Sequence, residues 1–169
     1  MGVQRTKTKV TAGSVAPDFT LPSQSGEMVS LGDFLGNRAV VLFFYPKDET
    51  PGCTKEVCAF RDSFEELAKL NAEVIGISSD SVESHRGFAE KHNLPFTLLS
   101  DEGSKVRERY GVPSTFGLFP GRVTYVIDTE GIVRNVFSSQ VGVERHVQES
   151  LDTLRGHGRA PSDRETNDG

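Results

Sequence analysis

The chain has 169 residues, a net charge of −5 and a pI near 5.4. That length suffices for one domain with its own core, and the acidic balance argues against nucleic acid as the main partner. No apolar run approaches the roughly 20 residues of a membrane span, and two cysteines do not make a disulfide framework, so a reducing compartment is expected. Residues 1–12 are basic and polar, with Arg5, Lys7 and Lys9. They are expected to form a flexible N-terminal segment, too short for a transit peptide.

Phe19–Leu21 and Glu27–Leu31 flank Gln24-Ser25-Gly26, the pattern of a small β-hairpin. After a short turn over Gly32–Arg38, the run Ala39–Tyr45 is apolar without interruption and rich in β-branched and aromatic residues, as in a central strand buried on both faces. Thr50 then suits a helix N-cap and Pro51 the first helical position. Val57, Phe60, Phe64 and Leu67 recur at helical spacing, with Arg61, Asp62, Glu65 and Glu66 between them. Glu73–Ser78 reads as a second buried strand, reached by a crossover and therefore parallel to the first.

Ser81–Lys91 follows as a helix that meets the core through Phe88 and Ala89; His85 and His92, seven apart, are expected on a solvated face. Phe96–Leu99 is a short strand. Asp101–Tyr110 is a charged helix packing through Val106 and Tyr110 and stopped by Gly111-Val112-Pro113. The connection Pro113–Gly121 carries Phe116, Leu118 and Phe119, an unusually apolar set that is expected to wall a site beside Arg122. Arg122–Asp128 and Ile132–Ser138 are two strands joined by Asp-Thr-Glu-Gly, a hairpin signature. Val143, Val147, Leu151 and Leu154 mark a last amphipathic helix, and residues 155–169 are expected to be a disordered tail. This order predicts an α/β, thioredoxin-like domain over residues 13–154: a central mixed sheet flanked by helices, with an N-terminal β-hairpin.

The chemistry centres on Pro46–Cys58, which holds both cysteines. Cys53 falls in the first turn of the predicted helix, where unpaired N–H groups and the helix dipole favour the reactive thiolate. Asp48 and Glu49 oppose this by like-charge repulsion, so a cation from elsewhere in the fold is required. Cys58, five residues on, lies nearer the polar side. In an intact helix the two Cα atoms would be roughly 8.6 Å apart, beyond the ~7 Å a disulfide spans, so a bond between them requires the first turns to unwind. Free cysteines are often only small buried hydrophobes, but a structural thiol has no need of a strand-to-helix turn. The two cysteines and His85, His92, His146 and His157 lack structural-zinc spacing, and no glycine loop of the Walker or Rossmann type is present. No metal and no cofactor are expected.

Pro46, Thr50 and Cys53 form a Pro-x-x-x-Thr-x-x-Cys signature that resembles the peroxiredoxins, and Cys58 resembles the second cysteine of the bacterioferritin comigratory protein / peroxiredoxin Q subfamily. The similarity runs from about Gly13 to Leu154. It includes Cys-Ala-Phe-Arg-Asp at 58–62, Pro-Phe-Thr-Leu-Leu-Ser-Asp-Glu-Gly at 95–103 and Pro-Gly-Arg-Val-Thr-Tyr-Val-Ile-Asp at 120–128. The resemblance implies a thiol peroxidase acting on hydrogen peroxide and organic hydroperoxides. In it Cys53 becomes a sulfenic acid, Cys58 resolves it as an intramolecular disulfide, and thioredoxin or a similar dithiol recycles the enzyme. It implies that Thr50 donates to the departing oxygen, that Pro46 shields the nucleophile, and that Arg122, rather than Arg38 or Arg61, is the missing cation. It also implies a monomer. The stretch around Phe116-Gly117 resembles cyanobacterial and plastid members, so a bacterial or cyanobacterial cytoplasm is expected, with a plastid as the alternative. Two other classes compete: a peroxide sensor that passes its disulfide to a partner protein, and a thioredoxin-type reductase, which would want Cys-x-x-Cys.

Overall fold

In the computed structural model, which describes residues 10–112, 114–115, 119–139 and 142–157, the N-terminal hairpin pairs β1 (Thr20–Pro22) with β2 (Met28–Ser30), antiparallel. A 3-10 turn at Leu31–Asp33 follows, closed by the Asp33 carboxylate accepting from the Ser30 N–H. The expected buried run becomes β3 (Ala39–Phe44). It leads through the loop at 45–50 into α1 (Pro51–Asp62), α2 (Phe64–Lys69) and β4 (Ala72–Ser78). Next come α3 (Val82–His92), β5 (Thr97–Ser100), α4 (Lys105–Tyr110), and the two-residue strands β6 (Ser114–Thr115) and β7 (Phe119–Pro120). The chain closes with β8 (Val123–Ile127), β9 (Val133–Ser138) and α5 (Glu144–His157).

Five strands form one sheet in the order β5-β4-β3-β8-β9. β3 is its centre, parallel to β4 and antiparallel to β8, so the sheet is mixed as expected. Because side chains alternate along a strand, β3 feeds two cores. Val40, Leu42 and Phe44 point to the face covered by the N-terminal segment and α4, with Phe19, Leu31 and Tyr110. Val41, Phe43 and, just beyond the strand, Tyr45 point to the face covered by α1, α2, α3 and α5, with Val57, Phe60, Leu67, Phe88 and Val147. Phe43 stacks on Phe60 with ring centroids 4.5 Å apart. The ring lies against Gly76 of β4, where an added Cβ would sit 2.7 Å from Phe43 Cζ, so only glycine lets the ring approach the strand this closely. Cys53 belongs to this second core.

Several expectations are revised. The helix read as continuous through Leu67 breaks at Ser63, whose backbone leaves the helical region and whose N–H turns back to Ala59 and Arg61 carbonyls. The break lets the second segment redirect Leu67 into the core. The helix expected from Asp101 begins at Lys105, because the Asp101 carboxylate instead accepts from the N–H groups of Val106 and Arg107, capping the turn from outside. α5 continues to His157, beyond the boundary expected at 154. Residues 158–169 lie outside the described residues, as do Phe116 and Leu118 and the Phe119 side chain, on which the apolar wall was placed.

His85 and His92 are not on a solvated face. His85 is fully buried, and with Phe88, Ala89 and His92 it completes an i, i+3, i+4, i+7 stripe along α3. His85 Nδ1 lies 2.7 Å from Asp48 Oδ2 and its Nε2 donates to the Leu99 carbonyl at 2.9 Å. His85 can be buried there because both of its ring nitrogens find polar partners.

Candidate active site

The loop between β3 and α1 is held from below. Asp48 is buried, accepts from the Tyr45 hydroxyl at 2.6 Å and the Ser84 hydroxyl at 2.8 Å, and contacts His85; its N–H donates to Asp80 at 2.8 Å. The expected like-charge repulsion from Asp48 is thus taken up locally by donors on β3 and α3. Asp48, Asp80 and His85 have ligand-type atoms within 4.8 Å of one another, and hydrogen bonds tie Asp48 both to His85 and to Asp80. Glu49 takes a left-handed φ of 67°, unusual for a residue with a side chain, and pairs with Lys91 of α3.

Thr50 occupies the N-cap position of α1, but its hydroxyl donates to the Lys47 carbonyl at 3.0 Å instead of capping a helical N–H. Pro46 and Thr50 are both half-buried. Pro51 opens α1 at the first helical position, and Cys53 follows in the first turn with no exposed surface. Cys58, also a free thiol, lies half-buried further along the same helix.

Of the three arginines weighed, Arg122 meets Cys53. Its Nη1 lies 3.5 Å from the sulfur, donating to it, and 2.6 Å from Glu56 Oε1. Arg38 instead pairs with Glu73, and Arg61 with Asp62 and the His92 carbonyl. Arg122 is 5 % exposed and immediately precedes β8, so the strand end aims it across the start of α1. Gly52 gives it room: a Cβ there would lie 3.1 Å from Nη2.

Glu56 and His146 are the residues that sequence reasoning missed. Burial drives the fully buried Glu56 carboxyl up to about 7, although Arg122 pulls it back. Glu56 Oε2 has no hydrogen-bond partner and lies 3.6 Å from His146 Nδ1. His146 Nε2 donates to the Ser139 carbonyl at 2.9 Å while Nδ1 faces the Thr124 hydroxyl at 2.8 Å; burial foremost, with Arg122 adding, lowers its pKa to about 4, so the ring is neutral at neutral pH. Burial alone would lower Arg122, but Glu56 and then Cys53 outweigh it and hold the guanidinium above its ordinary value. One buried cation thus serves two buried acidic groups. The missed signal was spacing: Glu56 is i+3 from Cys53 on the same apolar face, and His146 precedes Val147 in the buried stripe of α5.

The chain that carries this arrangement, a buried thiol at a helix start with a guanidinium on its sulfur, has relatives among known proteins. Residues 12–136 match the AhpC/TSA family. The chain belongs to that family. It is 58% identical over 148 residues to a chloroplastic peroxiredoxin Q of Sedum lineare, covering 87% of this chain and 79% of the relative. The corresponding protein of Triticum aestivum is 57% identical, with 87% and 68% covered. Among solved structures, peroxidoxin BcpB of Mycobacterium tuberculosis aligns with a TM-score of 0.82 at 40% identity, over 89% of this chain and 99% of that one. A mutant of Xylella fastidiosa PrxQ aligns with the same TM-score at 28% identity, over 90% and 99%. The thioredoxin-like fold expected from the element order is therefore the peroxiredoxin fold. As a peroxiredoxin the chain is a thiol peroxidase, an antioxidant oxidoreductase.

Proposed function

We propose that Cys53 is the peroxidatic thiol and Cys58 the resolving one, in an atypical 2-Cys peroxiredoxin recycled by thioredoxin or a similar dithiol. The observation that carries the reading is the 3.5 Å contact from Arg122 to the buried Cys53 sulfur at the start of α1. Cys53, as thiolate, attacks the terminal oxygen of a hydroperoxide; the O–O bond breaks, the sulfenic acid forms, and the departing alkoxide or hydroxide takes up the proton that Cys53 gave up on ionising and leaves as alcohol or water. Arg122 stabilises the anion before and during attack. The Cys53 N–H and the Thr50 hydroxyl donate to the peroxide oxygens, which requires Thr50 to release the Lys47 carbonyl, and Pro46 keeps bulk water off the sulfur. Hydrogen peroxide and organic hydroperoxides are the substrates, and the chain works as a monomer. Relatives named chloroplastic favour the plastid setting over a bacterial cytoplasm.

The test is rapid mixing with hydrogen peroxide followed by acid quench and mass spectrometry. Wild type should pass from thiols through a dimedone-reactive Cys53 to a Cys53–Cys58 crosslink. Cys53→Ser should consume no peroxide, and Cys58→Ser should stop at the oxygenated Cys53. Persistence of two free thiols at excess peroxide would overturn the assignment.

A further inference from the structure

Resolution needs a second thiolate. A thiol attacks as its thiolate, and Cys58 lies away from the helix start and from Arg122. Its polar neighbour is on α3: His92 Nδ1, 3.8 Å from the Cys58 sulfur. The other ring nitrogen, Nε2, is buried with no hydrogen-bond partner, and the ring stands edge-on to Phe88 at 5.1 Å. The sulfur of Cys58 is thus the polar partner of this imidazole among the described residues. The charged groups on this side are already committed. Arg61 donates to the His92 main-chain oxygen at 2.9 Å and pairs with Asp62, and Lys91 pairs with Glu49.

We propose that His92 is the general base of the resolving step, taking the thiol proton from Cys58 as that sulfur attacks the Cys53 sulfenic acid. This deepens the peroxidase reading and rests on it. With Nε2 carrying the ring proton, Nδ1 offers its lone pair to the Cys58 S–H. The proton moves to Nδ1, the Cys58 sulfur forms the S–S bond, and the S–O bond of the sulfenic acid breaks. The departing hydroxide takes up the proton released by the imidazolium and leaves as water. The two sulfurs and the hydroxyl balance as disulfide plus water, with the peroxide already consumed as oxidant. Geometry keeps the base with its thiol. The Arg61 bond to the His92 carbonyl fastens α1 to α3 one turn beyond Cys58, so the turns before Cys58 can unwind and bring Cys53 over while Cys58 stays beside the ring.

Two measurements test this. In a reduced Cys53→Ser background, iodoacetamide labelling of Cys58 is compared with and without His92→Gln across pH. The glutamine variant should label roughly 10-fold more slowly near neutral pH and equally fast near pH 10, since full deprotonation is worth at most about 30-fold at pH 7. In the two-cysteine protein, quench-flow mass spectrometry should show the loss falling on conversion of sulfenic acid to crosslink. More Cys53 should go to sulfinic acid, and imidazole added to His92→Ala should restore part of the rate. Coincident labelling profiles, with no change in the resolving rate, would overturn the role of His92. If wild type forms no sulfenic acid, the peroxidase reading falls instead, and the labelling arm, which needs no peroxide, still decides the Cys58–His92 pairing.

Discussion

A single guanidinium nitrogen, Arg122 Nη1, touches both Cys53 Sγ and Glu56 Oε1, and this sharing has consequences that can be measured. Arg122→Ala removes the donor aimed at the Cys53 sulfur and should lower kcat/KM for hydrogen peroxide by about 10²–10³. Arg122→Lys should recover little of it, because an ammonium cannot reproduce a planar fork that spans two acceptors. A variant with near-native turnover would remove Arg122 from the site. Glu56 and His146 make a second expectation, about pH. The buried Glu56 is raised from 4.5 to about 7, so its contribution to stability is present below 4.5 and lost as pH rises through 7. His146 is lowered from 6.5 to about 4, so its contribution is present above 6.5 and lost as pH falls through 4. Each is worth about 3 kcal/mol, and between pH 4.5 and 6.5 their slopes oppose and cancel. Glu56→Gln should uncover the His146 slope, so that the urea midpoint falls from pH 6.5 towards 4 while wild type stays level. Superimposable profiles would contradict the coupling.

At the scale of elements, the site depends on a loop that α3 holds in place. Asp48 sits between Pro46 and Thr50 and is anchored by Tyr45, Ser84 and His85, which fixes the direction in which α1 starts. Asp48→Ala would leave a buried hydroxyl and the ring nitrogen without their acceptor. It should cost roughly 3–5 kcal/mol of stability, read from urea denaturation, and slow the reaction at Cys53 although no catalytic atom is removed. A loss under about 1 kcal/mol would mean that the loop is held by its own backbone. This anchorage was hidden from sequence reasoning by the treatment of histidine. The periodicity at 85, 88, 89 and 92 is as regular as the one that revealed α1, but with His85 and His92 counted as polar only Phe88 and Ala89 remained. Conversely, β3 and the β8–β9 hairpin were legible because an unbroken apolar run and an Asp-Thr-Glu-Gly turn each carry their signal within a few residues.

For the whole molecule, what could not be read from the chain was contact across distance. Arg122 and Cys53 are 69 positions apart, and only the registry of β8 on β3, with Val123 opposite Phe44, brings the arginine to the mouth of α1. No local pattern separates it from Arg38 or Arg61, and it was the family signature that singled it out. The same long-range packing sets the balance between redox states. In the reduced protein Cys53 and Val57 are fully buried against β3, and withdrawing both should cost about 4 kcal/mol at roughly 2 kcal/mol for each side chain. A crosslink closing a loop of about six residues returns only about 2 kcal/mol through the unfolded state. The oxidised protein should therefore be the less stable form, by about 2 kcal/mol, and melt roughly 4–8 °C lower in calorimetry at equal pH. An oxidised form melting as high as the reduced one would mean that α1 keeps its packing, and hence that the oxidised sulfur is not paired within this helix.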